Sequence, residues 1–181
     1  PIRIFKKENI VVLVPEVGIP ASMALTLPLA ILEYAQKKGF DYIISLTGVG
    51  VPNRIDIEKP SVYWLASNAK AKNLVEKTGL ELFKEGILVG PYAVVLKESI
   101  RRRLSNIVLL AEAYIEFPDP EAAAMTLTAL SQITGTEIDV KKLLEEAEII
   151  KLKTRELMKT TKKMLAQMGK GYEYQPPLLY T

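Results

Sequence analysis

The chain has 181 residues, 49% of them apolar and 25% charged, which suffices for one α/β domain with a sizeable core. It contains no cysteine and no histidine, so disulfides, thiolate zinc sites, iron–sulfur clusters, Cys nucleophiles and every Ser-His-Asp or Cys-His arrangement are excluded. Against 24 basic residues stand 21 acidic ones, a net charge of only +3 without the dense basic patch of a nucleic-acid binder, and nucleic acid is not an expected partner.

The longest uncharged apolar stretch, residues 17–32, is interrupted by Pro20 and Pro28 and reads as a buried helix, so no membrane partner is expected either. The opening Pro1-Ile2-Arg3-Ile4-Phe5-Lys6-Lys7 has neither a signal-peptide core nor an initiating Met. The expectation is a cytoplasmic protein whose natural start lies upstream. Abundant Glu, Lys, Ile and Leu with scarce Asn, Gln, Cys and His is the bias of thermophilic proteins, and a thermophilic source is expected.

Ile10-Val11-Val12-Leu13-Val14, ended by Pro15, has the continuous apolar pattern of a strand covered on both faces. A helix follows over 21–38, with Lys37 and Lys38 in its last turn and Gly39 as C-cap; Pro28 should bend it or delay its start. Tyr42 to Thr47 repeats the buried-strand pattern, which predicts a parallel strand–helix–strand unit with a right-handed crossover. After a loop over 48–60, Val62 to Ala66 is a strand leading to Asn68, an N-cap for a helix over 69–77 stopped by Gly79. Residues 86–90 connect to a helix ending near Arg101-Arg102-Arg103, and Ile107 to Ala111 is a further strand. Asp119-Pro120-Glu121 combines a capping side chain, a proline suited to the first helical position and an acid that complements the dipole, so a helix runs from there to Thr134 and stops at Gly135. Asp139 caps a last long helix to Met168. The expected organisation is an α/β core over 1–138 with a mostly parallel sheet flanked by helices, the long helix over 139–169, and a flexible tail over 170–181.

Candidate sites are few. Gly18-Ile19-Pro20-Ala21-Ser22, Gly48-Val49-Gly50 and Gly86 to Gly90 lie where a phosphate-cradling loop would sit, but none fits GxGxxG or GxxxxGK[ST], and ordinary strand-to-helix turns account for them. No cofactor or metal is expected. Asp41, Asp56, Asp119 and Glu112 show no diagnostic acid/base spacing; Glu112 and Glu116, near the C-terminal edge of a strand, are the best placed for catalysis. Capping and surface solvation are the preferred account of these carboxylates, and Arg101 to Arg103 is what a helix dipole favours at its end.

Leu143, Ala147, Ile150, Thr154, Leu157, Thr161, Met164 and Met168 recur at spacings of four and three along the last helix. At about 1.5 Å per residue such a helix extends to about 45 Å. Its seam either covers the core or pairs with another subunit. In the tail, Gly169-Lys170-Gly171 loosens the chain, Pro176-Pro177 stiffens it, and Leu178-Leu179-Tyr180-Thr181 ends it with exposed apolar groups beside a carboxylate. This is the composition of a docking peptide, in which the ring fills a pocket and the carboxylate meets a cation.

Leu179-Tyr180-Thr181 matches the hydrophobic-Tyr-X ending with which proteasome activators and some assembly chaperones enter pockets between proteasome α-subunits. The body, over most of residues 10–148, resembles the archaeal branch of the proteasome-assembly-chaperone family at residues 47–52 (TGVGVP), 59–63 (KPSVY), 118–123 (PDPEAA) and 134–139 (TGTEID). That resemblance implies a non-enzymatic homo-oligomer with a phosphorylase-like three-layer sandwich, either an assembly chaperone or an activator-like cap on the core-particle α-ring. It further implies that Tyr180 fills the inter-subunit pocket, Leu179 makes apolar contact and the Thr181 carboxylate pairs with a lysine. The competing reading is a small-molecule or nucleotide-binding enzyme of phosphorylase-like fold that uses loops 18–22 and 48–50.

Overall fold

A computed structural model of the chain describes residues 2–115, 118–150 and 152. Strands β1 (Ile2–Lys7) and β2 (Ile10–Pro15) open the chain, followed by helix α1 (Thr26–Lys38) and strands β3 (Ile43–Gly50) and β4 (Val62–Ala66). Helix α2 (Ala69–Val75), strand β5 (Glu81–Leu82), helix α3 (Pro91–Arg102), strand β6 (Asn106–Ala113), helix α4 (Pro120–Thr134) and a helix α5 described over 141–150 complete it.

The central sheet has the order β3-β6-β4-β5. β3 runs parallel to β6 and β5 parallel to β4, while β4 and β6 are antiparallel, so the sheet is mixed and mostly parallel. Residues of β6 alternate between the two faces, as a period of two requires. Ile107, Leu109 and Ala111 share a cluster with Trp64 of β4, Ala71 and Val75 of α2, and Ala122, Ala129 and Ile133 of α4. α3 packs on β6 and carries α1 beside it. Val108 and Leu110, which point away from the α2 and α4 layer, are 0% and 2% exposed. Asn106, fully buried, ties three strands: its Nδ2 donates to the Ile43 carbonyl and the Ser45 hydroxyl, and its backbone carbonyl accepts from Ser67 N–H.

Local signals place the helices. Asn68 Oδ1 accepts from Ala71 N–H at 2.9 Å, Asp119 Oδ1 accepts from Ala122 N–H at 2.9 Å, and Asp139 Oδ1 accepts from Lys141 N–H at 3.0 Å. Gly39 and Gly135 take left-handed φ of 69° at the ends of α1 and α4, which a Cβ would penalise. Pro28 delays α1: residues Ala21–Met23 form a separate 3-10 turn, and the α-helix begins at Thr26, which puts the proline in a first turn where its missing N–H is not needed.

Two expectations are corrected. Ile10 to Val14 is not a buried strand of the parallel core. β2 pairs antiparallel with β1 in a separate two-stranded sheet, Val12 and Val14 are 47% and 39% exposed, and no strand–helix–strand crossover joins β2 to β3 within one sheet. A continuous apolar run specifies extended chain without saying which partner covers it. The boundary of β3 also moves: Gly48-Val49-Gly50, expected in a loop, continues the strand opposite Ala111, Glu112 and Ala113. β1 and β5 are additions, and β5 is two residues long and too short for a period to show. In α5, Leu143, Ala147 and Ile150 of the expected seam are inward or half-buried, whereas Leu144 and Ile149 are exposed. The rest of the seam from Thr154 to Met168 and the flexible tail over 170–181 lie outside the described residues.

Candidate functional site

Where β3 and β6 end, a cleft of about 330 Å³ opens between Val49 and Val51 on one side and the segment Glu81 to Glu85 on the other. Such edges at the C-terminal ends of parallel strands are where ligands of α/β sheets bind. Its polar floor is Glu112, held by two donors: Ser61 N–H at 2.9 Å and the Tyr63 hydroxyl at 3.1 Å. Both contacts follow from strand pairing. β4 runs antiparallel to β6, with Val62 opposite Ala111, and this places Ser61 and Tyr63 around the next residue of β6.

Tyr63 stacks obliquely on Phe83, with ring centroids 6.0 Å apart and planes at 58°. The Phe83 ring lies over Gly86, where a Cβ would stand 2.5 Å from its Cζ, so the glycine is what allows the ring to occupy that place. Burial pushes the Tyr63 hydroxyl above its ordinary pKa; a hydrogen bond with Ser61 opposes the shift, and the neighbouring Glu112 carboxylate adds to it.

A second cluster lies between the β3–β4 loop and the start of α4. Arg54, 1% exposed, donates from Nε to Asp119 Oδ2 at 2.7 Å, from Nη2 to Glu121 Oε2 at 2.8 Å and from Nη1 to the Ile57 carbonyl at 2.8 Å. Its guanidinium lies 5.1 Å from the Tyr114 ring centroid. Desolvation pulls the Arg54 pKa down, but hydrogen bonds and charge attraction from Glu121 and Asp119 outweigh it and the net shift is upward. Asp119 does three things at once: it pairs with Arg54, caps α4 through Ala122 N–H and accepts from Tyr114 N–H at 3.3 Å. The cluster therefore ties the start of α4 to Tyr114, just past β6, and to the β3–β4 loop.

The other sequence candidates are dispersed. Asp41 is 82% exposed and pairs with Lys70 at the surface, and Asp56 is exposed. Arg101 and Arg102 pair with Glu98 within α3, and Arg103 is its left-handed cap at φ 58°. Gly48 and Gly50 answer to packing: a Cβ would come within 3.1 Å of Ala113 Cβ and 2.8 Å of Ile115 Cγ1. The cleft reaches Val49, but no residue of 18–22 lines it, so the two loops of the enzyme reading do not converge there. Among the described residues no group of three or more His, Cys, Asp or Glu is arranged to hold a metal ion. Glu116, Leu179, Tyr180 and Thr181 lie outside the described residues.

Arg54, Tyr63 and Phe83 are functional candidates that sequence reasoning missed. Arg54 sits in a loop whose pattern shows no period, and only the fold brings it to Asp119, 65 residues away. The signal that was available is the acid pair Asp119 and Glu121, one of which has a second partner beyond its capping role.

Comparison with known proteins places this architecture. The chain matches Pyrococcus furiosus PbaA, an archaeal homolog of proteasome-assembly chaperone, at 27% identity with a TM-score of 0.77, over 96% of this chain and 72% of that one. Pyrococcus furiosus PbaB, an archaeal proteasome activator, shares the fold at 24% identity and a TM-score of 0.67, over 84% of this chain and 64% of that one. An uncharacterized protein of Methanocaldococcus jannaschii is 25% identical over 174 residues, 95% of this chain and 70% of the relative. The model of the PAC2 family matches residues 1–158, and the chain belongs to that family.

Proposed function

We propose that this protein is a non-enzymatic partner of the proteasome, an assembly chaperone or activator-like protein that binds the α-ring of the core particle as a cytoplasmic homo-oligomer. The observation that carries the reading is the match to PbaA over almost the whole chain, at both the fold and the sequence level. The local geometry agrees with a scaffold: Glu112 is occupied by two donors and Arg54 by two carboxylates, so the polar groups nearest the sheet edge are engaged in holding structure.

Docking is assigned to Leu179, Tyr180 and Thr181. The Tyr180 ring enters a pocket between α-subunits, Leu179 packs beside it and the Thr181 carboxylate meets a lysine. The test is sedimentation of the full chain, of a chain ending at Gly171 and of Tyr180→Ala with purified archaeal core particles and with free α-subunits. Co-sedimentation of the full chain, lost in both variants while their circular dichroism is unchanged, is the expected result. Retention of binding by the shortened chain would move docking to the body, and failure of the full chain to bind either partner would overturn the proteasome reading. Sedimentation of the protein alone reads the homo-oligomer.

A further inference from the structure

The cleft beside Glu112 has features that the tail reading leaves unused. Its walls are apolar at Val49, Val51 and Leu82, and its face carries the tilted Tyr63–Phe83 pair. At its floor Glu112 is already oriented, and an acceptor-only carboxylate has lone pairs beyond the two that Ser61 and Tyr63 occupy. Glu81 and Glu85 stand exposed on its rim, without ion pairs among the described residues, and Lys84 is the one basic residue of the cleft lining. An aromatic face next to a fixed carboxylate, on an acidic rim, suits a cation with an apolar stem, and disfavours phosphate. A volume of about 330 Å³ holds one long side chain and part of a neighbour.

β5 is the last strand of the sheet, and its outer edge has no strand partner among the described residues. An extended backbone laid along that edge would bring an alternate side chain over the cleft. We propose that the cleft receives an arginine or lysine side chain from an extended, otherwise apolar segment of a partner protein, with the charged head on Glu112 and its stem against Tyr63 and Phe83. This is a contact surface of the body, and the proposal is independent of what the tail binds.

The probe is the peptide acetyl-Leu-Arg-Val-amide, titrated into the full chain with amide chemical shifts as readout; its citrulline analogue keeps shape and removes charge. The arginine peptide should shift the amides of Leu82 to Glu85 and bind at least tenfold more tightly than the citrulline peptide. Glu112→Gln, whose amide oxygen can still accept from Ser61 N–H while its amide nitrogen donates to the Tyr63 hydroxyl oxygen, should weaken it at least fivefold. Glu85→Gln, at an exposed rim position with no side-chain partner among the described residues, should weaken it about twofold and serves as the second variant if Glu112→Gln misfolds. Equal affinity of the two peptides, shifts elsewhere on the molecule, or no shifts at all would overturn the proposal. Ethylguanidinium binding as tightly as the peptide would overturn the protein partner in favour of a free small cation.

Discussion

β2 and β6 carry nearly interchangeable sequences, Ile-Val-Val-Leu-Val and Ile-Val-Leu-Leu-Ala, and end in opposite situations. In β6, Ile107 to Ala111 are all between 0% and 2% exposed, with a strand on each side and a helical layer on each face. Among the described residues β2 pairs only with β1, whose Ile4 and Phe5 are themselves 52% and 51% exposed. Burial is thus a property of the neighbours, not of the run. What separates the two strands in sequence lies at their N-terminal ends: Ser105, just before β6, and Asn106, its first residue, are buried and bond to Ile43 of β3 and to Ser67 and Asn68 just past β4, whereas the turn at Glu8 and Asn9 leads β2 back along β1.

The largest effect expected on the buried side of this contrast is at Arg54. Arg54→Met removes the charge that compensates Asp119 and Glu121, and stability should fall by about 3–5 kcal/mol in urea denaturation. Most of that loss belongs to the Asp119 carboxylate, left buried without Arg54. Adding Asp119→Asn and Glu121→Gln should therefore restore part of it, since Asn still caps α4. If the triple variant is no more stable than Arg54→Met, the guanidinium acts through its packing on Tyr114 and its bond to Ile57.

Leu109→Ala against Val12→Ala is the direct comparison. The first should cost about 2–5 kcal/mol because it leaves a cavity among α2, α4 and β4. The second, at a position 47% exposed, should stay within about 0.5 kcal/mol. Amide exchange sharpens the same contrast: β6 should open only with global unfolding, while a two-stranded ribbon such as β1–β2 opens locally and far more often. Equal protection of β2 and β6 would mean that the hairpin is covered in solution.

Much of the helical framework was legible because its signals are local. Asn68, Asp119 and Asp139 cap the helices their positions announce, and Gly39, Gly79 and Gly135 end the preceding ones. The positions of β2, β3, β4 and β6 were legible for the same reason, those of β1 and β5 were not, and strand neighbours were not either, since pairing depends on contacts between residues far apart in sequence. The direction of β4 is the clearest case: nothing within residues 62–66 states that the strand runs antiparallel to β6. The candidate site inherits this limit. Glu112 could be placed at a sheet edge from sequence, but its partners Ser61 and Tyr63 are about fifty residues away and follow from the register.

The smallest expected effect comes from Tyr63, at the boundary between the core and the cleft. Burial raises its folded-state pKa above the ordinary 10.0, so the folded protein holds the phenolic proton where the unfolded chain has begun to release it. Its contribution is complete below the unfolded pKa and is lost as pH rises through the folded value, which confines the effect to alkaline solution above about pH 10. Melting temperatures measured from pH 8 to 11.5 should fall more steeply for the native sequence than for Tyr63→Phe, which has no proton to lose. Tyr63→Phe should also start slightly lower at pH 8, because Glu112 then keeps only its bond from Ser61. Two parallel curves would show that the hydroxyl titrates as freely as a surface phenol and that the floor of the cleft is open to water.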